Sequence, residues 1–221
     1  MDGANAAIRF DDEGTLLLQS RGHYLAGGPR ERHFALFKQW ANCHAGRLKG
    51  ALGDRYVLYG EWLYAKHTVF YDLLPHYFLE FDVLDTTTGD FLDTPRRAAL
   101  LAGLPVRSVL VLAAQPFRRA DELTAWVGPS RFVSAGRLER LGEVAAERGL
   151  DPARIRRETD PSPIMEGLYL KVEEDGVVRE RYKFIRHTFL TAVLSPGAHW
   201  IERPIVPNQL APGVDLFADA T

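Results

Sequence analysis

At 221 residues, 46% hydrophobic and 25% charged, the chain has a globular composition and the length for one domain with a sizeable core and a small appendage. A formal charge of -2 argues against a non-specific polyanion binder while leaving room for a local basic cleft. The single Cys43 excludes an intrachain disulfide framework or a cysteine-rich zinc site, and no apolar run reaches the roughly 18–20 residues of a membrane span, so the sequence reads as cytoplasmic.

Residues 4–10 and 15–20 read as two strands joined by the polar turn Asp11-Asp12-Glu13-Gly14. A strand beginning so close to Met1 leaves few disposable residues ahead of it, and the expectation is a natural start upstream or a fragment. His33 to Trp40 places apolar residues at helical spacing, with the helix running on toward Leu48. The aromatic and β-branched runs 56–62 and 77–84 read as buried strands. Thr94-Pro95 opens a helix with a cap residue followed by proline. Residues 109–112 read as another strand, 120–127 and 134–148 as helices. Residues 165–171 and 177–185 read as a hairpin around Glu173-Glu174-Asp175-Gly176. Residues 187–221 are rich in proline and glycine. Mixed strands and helices with hairpins near both ends predict an α+β fold rather than a doubly wound sheet.

Six short segments carry the functional signal, each on a predicted strand or at its edge: Met1-Asp2-Gly3 with Asn5, Gln19-Ser20-Arg21-Gly22, Gly60-Glu61-Trp62, Phe81-Asp82, Glu166-Gly167-Leu168-Tyr169-Leu170-Lys171, and Arg181-Tyr182-Lys183. In this order they resemble the motifs of the covalent nucleotidyltransferases: DNA ligases, RNA ligases and mRNA capping enzymes. Trp62 to His67, followed by Tyr71 and Phe81-Asp82, resembles bacterial RNA ligases in particular. The resemblance covers roughly residues 1 to 186. It implies the ligase adenylation fold, antiparallel sheets flanked by helices with a nucleotide cleft between them, over residues 1–190. Residues 191–221 are left as a Pro/Gly-rich tail too short for the OB-fold that DNA ligases and capping enzymes carry.

The family's first motif is Lys-x-Asp-Gly, whose lysine forms a phosphoramidate with the nucleotide, and this chain begins one residue after that lysine. The resemblance implies a catalytic set of Asp2, Arg21, Glu166 and Lys183. Nucleotide binding would involve Gly3, Asn5, Arg21, Glu61 toward the ribose, Phe81 stacked on adenine, Glu166, and the basic pair Arg181 and Lys183 at the α-phosphate. Arginine stands at 181 where lysine is more usual. Glu166 is the implied metal-organising carboxylate, and Asn5, Lys66 and His67 are candidates for RNA contact. The implied cofactors are ATP or AMP with Mg²⁺ or Mn²⁺, and the implied partners are RNA ends, which a polynucleotide kinase-phosphatase could prepare.

The chemistry needs such residues. Activating a terminal 5′-phosphate through an adenylated anhydride splits one hard step into easier ones. Cations must neutralise the transferring phosphoryl group, and carboxylates hold the divalent ion. Taken singly, Glu61 reads equally well as a strand-edge carboxylate, Phe81 as core and Lys183 as a solvated strand residue; the preserved order favours function. The arginines at 137, 140, 148, 154, 156 and 157 read as exposed helix faces, with RNA-backbone contact the lesser reading. The resulting expectation is an ATP-dependent RNA ligase that seals 5′-phosphate to 3′-hydroxyl ends through enzyme-AMP and RNA-adenylate intermediates, with this chain unable to adenylate itself. The alternatives are a non-catalytic nucleotide- or RNA-binding relative, and a DNA ligase or capping-type enzyme.

Overall fold

The computed structural model describes residues 1–193 and 204–218. Six strands form one sheet in the order β3-β2-β1-β4-β5-β6, and two more form a separate ribbon, β7-β8. In the main sheet β1 (Ala4–Phe10) lies between β2 (Leu16–Ser20) and β4 (Tyr56–Trp62), and β4 pairs with β5 (Phe78–Asp85); all three pairings are antiparallel. The short β3 (His23–Tyr24) and β6 (Arg107–Ser108) close the edges, β6 running parallel to β5. The α+β prediction holds, and among the described residues no helix is long and apolar enough to cross a membrane.

Strand alternation decides which face is core and which is site. Ala4, Ala6, Ile8 and Phe10 on β1 turn the same way as Leu58 and Trp62 on β4, and pack against α1 (Ala35–Cys43) and α2 (Ala45–Leu52). Phe37, Trp40, Trp62 and Phe78 form a buried aromatic cluster there, with centroid separations of 5.1–6.1 Å. Asn5 and Glu61, directly opposite each other in the β1–β4 ladder, therefore turn to the other face. On that face Leu63, Val69, Tyr71, Leu74 and Leu79 form a second cluster. A third cluster joins α5 (Arg137–Glu147) and α6 (Pro152–Arg157) to Phe70 and Val206.

Several expectations need correction. The single helix expected from His33 is three pieces: a 3-10 turn over Pro29–Phe34, then α1 and α2, separated at His44, whose φ of -103° and ψ of 10° leave the helical region. Residues 109–112 form no strand. Pairing stops at Ser108, with one further bond from the Val109 N–H to the Glu80 carbonyl, and Leu110 and Val111 are 45% and 57% exposed. Their apolar character found no sheet to join, so composition alone misled. The helices expected at 120–127 and 134–148 are shorter: α4 spans Ala120–Thr124 and α5 begins at Arg137. Helix α6 was missed although Asp151-Pro152 signals it, the Asp151 carboxylate accepting the Ala153 N–H ahead of the proline. Arg137 is not on an exposed face: it is 3% exposed, and its guanidinium donates to the Asp160 and Ser162 carbonyls. Arginines 140, 148, 154, 156 and 157 are exposed.

The hairpin is as expected in kind and shifted in extent. β7 (Gly167–Glu174) and β8 (Val177–Ile185) are joined through Asp175 and Gly176, with Asp175 at φ 54°. It docks through the Leu92–Val177 bridge beside α3 (Thr94–Leu101). That helix also carries Arg97, which reaches Glu80 at 2.9 Å in a buried ion pair; the Ser108 hydroxyl donates to the same carboxylate at 2.6 Å. Replacing Arg97 by Met strands the Glu80 charge and is expected to cost about 3–5 kcal/mol in urea unfolding, whereas an Arg97→Met/Glu80→Met double variant recovers most of it.

Candidate active site

The segment ahead of β1 is fixed by hydrogen bonds from both Asp2 and Gly3. The Asp2 carboxylate accepts the Thr68 and Val69 N–H groups at 2.5 and 3.0 Å, the Asp2 N–H donates to the Tyr71 hydroxyl at 3.0 Å, and the Gly3 N–H donates to Glu61 Oε1 at 3.0 Å. Burial raises the Asp2 carboxyl above its ordinary value, and those backbone donors pull it back down. Gly3 is required by close approach, since a Cβ there would lie 2.6 Å from the Trp62 carbonyl oxygen and 2.8 Å from Leu63. Asp2 thus anchors the segment to the loop after β4 through its carboxylate.

Glu61, Glu166 and Lys183 converge electrostatically. Burial pushes Glu61 up to about 7; the Met1 amine, the Gly3 N–H and Lys183 lower it, and Glu166 raises it. Glu166 Oε1 accepts a hydrogen bond from the Met1 nitrogen at 2.7 Å, which places this carboxylate at the head of the Met1–Gly3 segment. Behind it, Gly167 passes so near β8 that a Cβ would lie 1.8 Å from the Phe184 carbonyl oxygen. Lys183 stands opposite Tyr169 in the β7–β8 ladder and is exposed. Among the described residues no group of three or more His, Cys, Asp or Glu side chains is arranged to hold a metal. A divalent ion at Glu166 would therefore take most of its oxygen ligands from water or a phosphate, as Mg²⁺ commonly does.

Phe81 occupies a β-bulge. Tyr59 pairs with Asp82 and Gly60 with Glu80, which leaves Phe81 as the extra residue of β5. Its half-buried ring meets Tyr169 edge-on at 5.9 Å, and its carbonyl accepts both Lys171 Nζ, at 2.5 Å, and Arg97 Nη1. Next to it, the buried Asp82 gathers the hairpin: Tyr169 donates its hydroxyl at 2.7 Å, and the Lys171 and Arg181 cations lie at 2.7 and 3.5 Å. Arg181 also lies 3.9 Å over the Phe91 ring, so this member of the expected basic pair is engaged by Asp82 and Phe91 although it stays exposed, as Lys183 does. Asp82, Tyr169 and Lys171 lay within the motif segments but were not singled out as site residues; the signal was two acidic residues, Glu80 and Asp82, inside the otherwise apolar run 78–84.

The remaining candidates are placed as follows. Asn5 lies beside Glu61 on the site face, and Arg21 is exposed in the turn between β2 and β3. No hydrogen bond or ion pair among the described residues ties Arg21 to the other candidates. Lys66 is half-buried and donates to the His67 and Glu158 carbonyls, and His67 is 7% exposed with Nδ1 4.0 Å from Asp2.

The protein-family model for RNA ligase matches residues 1–185. The chain belongs to the RNA ligase family. Among solved structures it is similar to a lysine-to-alanine mutant of Naegleria gruberi RNA ligase with ATP and Mn, at 18% identity and a TM-score of 0.52. It is likewise similar to another lysine-to-alanine mutant of that enzyme in the apo state, at 17% and 0.53, and to a lysine-to-methionine mutant with AMP and Mn, at 18% and 0.52. Each match covers 86% of this chain and 49% of the other, so the chain spans about half the length of these solved relatives. At such identities the likeness establishes the shared fold. No curated protein matches.

The raised Glu61 pKa makes a signed prediction. A carboxyl raised in the folded state binds more protons there than when unfolded, so it lowers stability as pH climbs from about 4.5 toward 7. Denaturant unfolding at pH 5 and pH 8 should show Glu61→Gln gaining on the original chain at pH 8 relative to pH 5, by on the order of 1–3 kcal/mol. Parallel pH profiles for the two proteins would contradict the raised value.

Proposed function

We propose that the RNA ligase fold here binds an adenine nucleotide at Phe81, Glu61 and Lys183 and serves the joining of RNA 5′-phosphate and 3′-hydroxyl ends. The observation that carries this reading is that the Met1–Gly3 segment bonds to both Glu61 on β4 and Glu166 just before β7, while the bulged Phe81 meets Tyr169, the ladder partner of Lys183 on β8. Phe81 offers a stacking face for adenine, Glu61 and Asn5 accept and donate to the ribose, and Lys183 neutralises the phosphate next to the adenosine. A bound Mg²⁺ or Mn²⁺ at Glu166 would supply charge neutralisation for the phosphates. Arg21 at the β2–β3 turn and Asn5 on the site face are the residues to contact RNA, with Arg181 holding the hairpin rather than the nucleotide.

In the sealing step the RNA 3′-hydroxyl oxygen attacks the 5′-phosphorus of an adenylated RNA end. The new P–O ester bond forms as the anhydride P–O bond to AMP breaks, AMP leaves with the electron pair, and the hydroxyl proton passes to solvent. This step needs no enzyme lysine nucleophile. The 221-residue chain, with no lysine before Asp2-Gly3, should seal preadenylated RNA in the presence of a divalent ion yet form no denaturation-stable adduct with α-labelled ATP. A labelled band mapping to Lys66 or Lys183 would sink the second half, and absence of sealing would sink the first.

Variants separate the roles. Glu166→Ala and Lys183→Ala should each slow sealing by on the order of 10²–10³. A Mn²⁺ titration should partly restore Glu166→Ala and leave Lys183→Ala unchanged. Phe81→Ala should weaken ATP binding in calorimetry by about 1–3 kcal/mol, and equal affinity in a folded variant would place the adenine elsewhere.

A further inference from the structure

The loop between β4 and β5, residues 63–77, has no regular secondary structure, yet it holds Asp2 and with it the first residues of the site. Buried backbone groups without a ladder must find partners elsewhere. They find them in residues 204–216, sequence that composition alone marks as a tail.

We infer that Asn208 is a positioning residue for the site. Its side chain is a two-ended clip: Oδ1 accepts the Tyr71 N–H at 2.9 Å, and Nδ2 donates to the Leu63 carbonyl at 2.7 Å. Its backbone N–H donates to the Tyr64 carbonyl at 2.7 Å and its carbonyl accepts the Tyr77 hydroxyl at 2.8 Å, so one residue that is 1% exposed grips the loop at four points. Flanking bonds extend the grip, from the Lys66 N–H to the Val206 carbonyl, the Gln209 N–H to the Tyr71 carbonyl and the Leu74 N–H to the Gln209 carbonyl. The Tyr71 backbone, fixed by Asn208, carries the hydroxyl that accepts the Asp2 N–H; Asp2 accepts Thr68 and Val69; and Gly3 donates to Glu61. Asn208 thereby sets where the Met1–Gly3 segment meets Glu61 without touching a reactant.

The chemistry of the clip is specific. A carboxylate supplies the acceptor for Tyr71 but no donor for Leu63, and regains the donor only when protonated. A buried aspartate at 208 would hold its proton to higher pH than an exposed one. Asn208→Asp is therefore a pH-reversible version of the clip, and Asn208→Ala a permanently open one.

The geometric claim stands on hydrogen bonds alone; its consequence for sealing rests on the RNA ligase reading. The test is amide hydrogen exchange by NMR on the intact chain and both variants at pH 5.5 and 8, with sealing of preadenylated RNA measured beside it. In Asn208→Ala, protection at Asp2, Thr68 and Val69 should drop at least about tenfold while the β1–β4–β5 amides stay protected. Sealing kcat should fall on the order of 10- to 100-fold with KM for RNA held within about twofold. Asn208→Asp should resemble the alanine variant at pH 8 and return to within a few fold of the original chain, compared at the same pH, at pH 5.5. Because that contrast is made within one protein, it decides the question even if Asn208→Ala does not fold. Undiminished protection at Asp2, Thr68 and Val69, or an Asn208→Asp profile flat in pH, would overturn the proposal. An original chain that seals nothing counts against the ligase reading, while the exchange pattern still decides the clip.

Discussion

The candidate site depends on the β7–β8 ribbon being held against β5 of the main sheet, and Asp82 is a point at which the two are joined. Its carboxylate, 1% exposed, receives the Tyr169 hydroxyl and the Lys171 and Arg181 cations, all from the ribbon. Removing one partner from a buried ion pair typically costs several kcal/mol because the other charge is left uncompensated. The ribbon therefore has few alternative dockings. Its placement determines where Glu166, just ahead of β7, and Lys183, within β8, stand relative to Glu61 on β4. Burial lowers the Lys171 amine while Asp82 supports its charge, which is the signature of a cation kept inside by its partner.

Two further constraints act on the same few residues. The bulge at Phe81 breaks the alternation of β5, so that Leu79 and Val83, four residues apart, fall in opposite cores, and the Phe81 ring meets Tyr169 while its carbonyl takes two cations. On the other side of the site, the loop after β4 and the segment around Asn208 fix Asp2 and Gly3. The candidate site is thus assembled from a strand end, a bulge, a ribbon and a braced loop. Each is held by buried polar contacts, and the two apolar clusters on either side of the sheet supply the rigid backing.

Much of this was legible in the sequence. β1, β4 and β8 follow from apolar runs bounded by turn residues, and Glu61, Phe81, Glu166 and Lys183 could be singled out because their segments keep a family order. Gly3 and Gly167 then gained a physical reason, close backbone approach, that no pattern reports. What failed did so where tertiary contacts overrule composition. Leu110 and Val111 look like a strand and lack a partner; Arg137 looks like a solvated helix residue and is buried against two carbonyls. Arg181 is drawn off by Asp82 and Phe91. Residues 204–216 offered only prolines and a lone asparagine, because a clip that joins positions 137 and 145 residues apart leaves no local signal.

The most direct test of the central claim is a crystal structure of this chain with ATP and Mn²⁺. The account predicts adenine stacked on the Phe81 ring, the ribose hydroxyls on Glu61, the phosphate next to the adenosine within hydrogen-bond reach of Lys183, and the ion on Glu166. A nucleotide bound away from the bulge, or one whose phosphates lie out of reach of Lys183 while Glu166 holds no ion, would contradict it.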